Sequence, residues 1–106
     1  MKLLTEKIKK SLPPLGSTSD IPVEEKIITC KFFNPCGAGT WYVCEGSEQD
    51  GGDWIFFGLV DLFEVEWGYF SLSELEGVTV SLGLGIERDI HFENRRLSEE
   101  QIGQTF

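Results

Sequence analysis

Trp54-Ile55-Phe56-Phe57-Gly58-Leu59-Val60 runs seven residues without a charge, and its reading decides the fold. The run is too short for a buried helix, is rich in aromatic and β-branched residues, and follows the turn-forming stretch Gly46 to Asp53. It predicts a strand buried on both faces. On its C-terminal side, after Asp61-Leu62-Phe63, Val65, Trp67 and Tyr69 alternate with Glu64, Glu66 and Gly68. That two-residue period predicts a half-exposed strand with one carboxylate face.

On the N-terminal side, Lys26 to Phe33 reads as one strand and Thr40 to Glu45 as the next, joined by the turn Asn34-Pro35-Cys36-Gly37-Ala38-Gly39. Pairing symmetric about Gly37 would set Cys30 opposite Cys44 and Phe32 opposite Tyr42. Ser71-Leu72-Ser73-Glu74 has capping-box spacing and predicts a short helix over 72–76, ended by Gly77. Residues 78–86 read as strand or loop, Asp89 to Phe92 as a last strand near an edge, and 97–102 as one loose helical turn before a frayed end. At the other end Leu4, Ile8 and Leu12 recur every fourth position between a capping Thr5 and the stop Pro13-Pro14, which predicts a short amphipathic helix, followed by a loop over 15–23.

The fold class expected is α+β, a single domain with a mainly antiparallel twisted sheet of about five strands, an N-terminal helix and one short internal helix. Residues 1–24 make the helix and loop, 25–93 the sheet, and 94–106 a polar tail. At 106 residues, with 41% hydrophobic and 12% aromatic content, the chain suits one core and is too apolar to be disordered.

Charge is unevenly placed. Residues 1–31 carry six Lys against four acids, whereas residues 45–89 carry eleven carboxylates and only Arg88, within a net charge of −9. Such a field disfavours direct binding to nucleic acid or anionic membranes. The opening residues lack the apolar run of a secretory signal, and no apolar stretch is long enough to span a bilayer, so a cytoplasmic protein is expected.

Cys30, Cys36, Cys44 and His91 are the ligand types of a zinc site. Their gaps of five and seven residues depart from knuckle spacing, and Cys30 and Cys44 read as small buried side chains, so neither metal nor cofactor is expected. Cys36 with His91 as nucleophile and base would need the two to meet in space. Gly37-x-Gly39 and Gly83-x-Gly85 lack the third glycine of a dinucleotide fingerprint, where Tyr42 and Arg88 stand, and read as turns. Arg88 is expected to fork onto a neighbouring carboxylate.

Several blocks together carry a resemblance: Met1 to Thr5, Lys31-Phe32-Phe33-Asn34-Pro35, Thr40-Trp41-Tyr42, Phe56 to Val60, Gly68 to Leu72 and Gly85 to Asp89. In that order they resemble an uncharacterised bacterial family catalogued as domain of unknown function 2958. The resemblance implies a small single-domain protein of the kind often encoded on plasmids, phages and integrative elements. It implies no established activity and no catalytic residues.

The residues themselves favour a binding surface over chemistry. Trp41, Tyr42, Trp54, Trp67 and Tyr69 cannot all point inward from alternating strands, and Asp61, Glu64, Glu66, Glu87 and Asp89 flank them together with Arg88. Aromatic anchors in an acidic field suit a protein partner, a basic one in particular, up to mimicry of nucleic-acid charge against a defence nuclease. The alternatives are a carboxylate-dependent or metal-assisted hydrolase centred on Asp61, Glu64, Glu66 and Glu87, and a structural homo-oligomer built on the same aromatics.

Overall fold

The structure is a computed structural model and describes residues 1–78 and 83–100. Helix α1 (Glu6–Ser11) leads through a loop and a 3-10 turn at Val23–Glu25 into β1 (Ile27–Ile28), β2 (Cys30–Phe33), β3 (Thr40–Glu48), β4 (Trp54–Asp61) and β5 (Val65–Ser71). Helix α2 (Leu72–Glu76), β6 (Glu87–Arg88), β7 (Arg95–Arg96) and a 3-10 turn at Leu97–Glu99 complete it. Five strands pair antiparallel in the order β5-β4-β3-β2-β6, and β1 pairs with β7 in a separate two-stranded sheet. The α+β class, the five-stranded sheet and both helices are as the sequence predicts.

Local chemistry explains the boundaries. The Thr5 side chain accepts the Ile8 amide and starts α1. Ser71 and Glu74 satisfy each other's amides in a capping box at α2.

The β2–β3 register differs from the expected one by a single residue. The Asn34 amide donates to the Gly39 carbonyl, while the Asn34 side chain accepts from the Cys36 amide and donates to the Ala38 carbonyl. Closing the turn on Asn34 and Gly39 sets Cys30 opposite Val43 and Phe32 opposite Trp41. A one-residue slip exchanges faces, so Cys30 and Cys44 end on opposite sides of the sheet.

Other boundaries move for similar reasons. The stretch 26–33 is two strands that turn a corner at Thr29, whose amide donates to the Val43 carbonyl. Strand β3 continues to Glu48 because the loop after α1 lies along it: the Gly46 amide donates to the Pro13 carbonyl and the Leu15 amide to the Ser47 hydroxyl. The turn itself is Gln49 to Gly52, with Gly51 and Gly52 at φ of 90° and 93°. The last edge strand is Glu87–Arg88 rather than 89–92; the ladder gains only the Asp89 amide bonded to the Lys31 carbonyl before the chain turns. Within 78–86, residues 79–82 lie outside the described residues, as do residues 101 and 102 of the expected final turn. The segment expected as a polar tail is tied down as far as Glu100, because β7 pairs with β1, Leu97 is fully buried and its amide donates to the Lys26 carbonyl.

Both faces of the main sheet carry a core. On one, Leu3, Leu4 and Leu12 from the α1 region and Leu75 from α2 close over Cys30, Phe32, Val43, Trp54, Phe56 and Phe70. On the other, Ile28 and Leu97 close over Tyr42, Cys44 and Leu59. A bulge at Cys44, where Val43 faces Gly58 and Glu45 faces Phe57, joins the two patterns. Gly58 is required there, since a Cβ would lie 1.9 Å from the Tyr42 carbonyl oxygen.

Candidate functional site

The fully buried residues of the second core stop at β4, and Val65 and Trp67 of the edge strand β5 pack half-buried against them. On the same side, Phe57 of β4 stands opposite Tyr69 of β5 in the hairpin register, with Trp67 next along β5. The Phe57 and Trp67 rings stack at 5.4 Å with an interplanar angle of 13°, and Phe57 and Tyr69 tilt at 5.0 Å and 51°. No described element caps Tyr69, which is 70% exposed, and Phe63 at the hairpin tip is 95% exposed. Phe57 was not among the expected site residues because its strand reads as buried throughout. The signal that finds it is the alternation with Phe56, which sends one ring to each face.

Carboxylates border these rings. Glu64 and Glu66 are exposed, and Asp61 is half-buried. Glu66 pairs with Val60 and so projects from the opposite side of β5 to Trp67, whereas Asp61 pairs with Val65 on the aromatic side. Among the described residues, the ion pairs take their carboxylates from Glu6, Glu25, Glu99 and Glu100 and none from residues 45–89. Apart from Glu45, which feels the Lys26 charge, the central acids are not neutralised by a lysine or arginine among the described residues.

Besides Glu74 in the α2 capping box, Glu45 and Asp53 of that stretch also serve the fold. Glu45 is buried and accepts from the Gly16 amide at 2.7 Å, the Thr18 amide at 3.1 Å and the Thr18 hydroxyl, with Lys26 bonded to Thr18 behind it. Burial pushes its carboxyl up, but the Thr18 and Gly16 hydrogen bonds and the Lys26 charge outweigh that and hold it below the ordinary glutamate value. Asp53 accepts from the Ser73 hydroxyl and amide and from the Trp54 amide, bonds that lower its carboxyl, the Ser73 hydroxyl most.

The remaining expected residues lie elsewhere. Glu87, Arg88 and Asp89 are at the β6 edge, four strand spacings or about 19 Å from β5. Among the described residues Arg88 forks onto no carboxylate; its guanidinium donates to the Lys2 and Leu3 main-chain carbonyls and fastens the N-terminal segment. Trp41 is half-buried against the first core and Trp54 is buried in it. Tyr42 is buried in the second, with the Lys31 ammonium 5.5 Å over its ring and its hydroxyl pushed up to about 12, by burial first and then by Glu100 and Asp61. The structure thus gathers Asp61, Glu64, Glu66, Trp67 and Tyr69 at one edge, keeps Tyr42 on the same face in the core that Trp67 packs against, and places Trp41, Trp54, Glu87, Arg88 and Asp89 elsewhere.

Burial likewise pushes the Cys30 and Cys44 thiols up to about 12, the state of inert packed sulfur, while Cys36 is exposed in the β2–β3 loop. Among the described residues no group of three or more His, Cys, Asp or Glu is placed to hold a metal ion. Cavities of about 540, 520 and 470 Å³ lie along α1 and the β6 side, and none is lined by Asp61, Glu64 or Glu66. No helix among the described residues is long and apolar enough to cross a membrane.

No curated protein and no solved structure matches the chain. A family model does match it, over residues 3–100, which takes in every described strand and both helices. The chain belongs to the family described as protein of unknown function (DUF2958).

Proposed function

We propose that this chain is a small accessory protein of bacterial mobile elements that acts by binding a basic protein partner through the β4–β5 side of its sheet. The observation that carries the reading is the coincidence of uncovered rings, Tyr69 and Phe63 above all, with carboxylates that enter no ion pair among the described residues. Rings supply the desolvation energy of an interface core, and unpaired acids at its rim steer and select a partner of opposite charge. The mobile-element setting rests on the family likeness. An enzymatic reading has less to stand on, since Glu87 is remote from Asp61, Glu64 and Glu66 and those three line none of the three cavities described above.

The test is capture from bacterial lysate by the immobilised protein, in low and high salt, beside a Glu64→Gln/Glu66→Gln/Tyr69→Ala variant. A retained protein that is lost in high salt and absent from the variant supports the reading. Equal retention by both forms, or none by either, overturns it.

A further inference from the structure

The backbone of β5 has a definite phase. At the β3–β4 turn the Gln49 amide donates to the Asp53 carbonyl, which makes Ser47–Ile55 and Glu45–Phe57 the mutually bonded pairs of that hairpin. Ile55 and Phe57 therefore point their peptide groups at β3, and the alternate residues Phe56, Gly58 and Val60 point theirs at β5. On β5 the partners of those three are Phe70, Gly68 and Glu66. The amides and carbonyls of Val65, Trp67 and Tyr69 are left facing outward from the sheet.

Two bonds at the ends of the strand agree. The Leu62 amide donates to the Glu64 carbonyl, in step with Val60 and Glu66, and the Ser71 amide is taken by the Glu74 carboxylate rather than by β4. Among the described residues no strand pairs with this outer side.

Side chains follow the same phase. Val65, Trp67 and Tyr69, with outward peptide groups, lie on the aromatic face, and Glu66 and Gly68 lie on the other. A strand laid beside β5 shares faces with it residue by residue. Its complement is an apolar residue opposite Val65, Trp67 and Tyr69 and a basic residue opposite Glu66.

We infer that the free edge of β5 takes up an extended segment of alternating basic and apolar residues as a sixth strand of the sheet. Main-chain hydrogen bonds to Val65, Trp67 and Tyr69 would hold it, and the alternation would select it. A second copy of this chain fits poorly, because both edges would bring Glu64 and Glu66 into a pairing between molecules of net charge −9. This inference rests on the proposed protein-binding role and adds its mode and partner chemistry.

The probe is a capped nine-residue peptide of alternating Val and Lys, with an alternating Val and Glu peptide as its control, followed by amide NMR and hydrogen exchange on the intact protein. The Lys peptide is expected to bind, and to slow exchange at Val65, Trp67 and Tyr69 while leaving the already bonded Glu66 and Gly68 amides little changed; the Glu peptide should not bind. Tyr69→Pro removes one outward donor without touching a bond to β4, and should weaken binding about tenfold relative to Tyr69→Ala.

If the Lys peptide binds and needs Glu64 and Glu66, yet protects no outward amide and is indifferent to proline at 69, the strand-addition mode is overturned and the acidic, aromatic surface stands. If it does not bind, or binds equally to a Glu64→Gln/Glu66→Gln variant, both are overturned. Protection of the same amides by self-association without peptide would overturn the basic partner in favour of a second copy.

Discussion

On one face of the sheet the α1 segment and Leu75 reach far enough to bury Trp54, Phe56 and Phe70, rings from both β4 and β5. On the other, full cover by Ile28 and Leu97 ends over Tyr42, Cys44 and Leu59; Trp67 packs half-buried on the border of that core, Phe57 stacks on Trp67, and Tyr69 leans on Phe57. The strands are the same and their side chains are equally aromatic. The difference lies in how far the covering segments extend, and it shows that an apolar strand pattern specifies a buriable surface without specifying what buries it.

Substitutions should break or sharpen that contrast. Phe56→Ala, on the covered face, should cost about 4 kcal/mol of unfolding free energy in a urea titration, since it empties a fully buried aromatic site. Gly58→Ala should cost about 3 kcal/mol by forcing a methyl group against the Tyr42 carbonyl, and would disprove the close approach if it were silent.

Glu45→Gln tests the loop that crosses the end of β3, and should cost about 2 kcal/mol by leaving a buried hydrogen-bond network with the wrong acceptor. Because the folded Glu45 carboxyl is held below its unfolded value of about 4.3, its contribution is complete above that pH and drains away as pH falls through the lower folded value. The variant should therefore lose stability less steeply than the parent on acidification. Smallest of all, Tyr69→Ala should change stability by about 0.5 kcal/mol or less. A cost comparable to that of Phe56→Ala would mean that the aromatic face is covered after all.

Much of this architecture was legible because it is written in short-range chemistry. The capping residues Thr5 and Ser71, the alternation from Val65 to Tyr69 and the uncharged run at β4 each depend on neighbours a few positions away. The β2–β3 register was not legible, because one Asn34 side chain closes the turn off the symmetric axis. Nor was the extension of β3 through Gly46, which depends on Pro13 and Leu15 arriving from more than thirty residues upstream.

Half of the candidate site followed from pattern. Asp61, Glu64, Glu66, Trp67 and Tyr69 are close in sequence, and a hairpin keeps them close in space. Glu87, Arg88 and Asp89 joined them only through composition, and strand order places them at the far edge.

The burial of Leu97 sets an order of events during synthesis. Among the described residues the first core draws on residues 3–86, so it can assemble as soon as those have left the ribosome, whereas the second waits for residue 97. At 5–20 residues per second that delay is roughly one second, during which Ile28, Tyr42, Cys44 and Leu59 face water. Chains ending at residue 94 should stay in that state and bind an apolar dye that the full chain excludes.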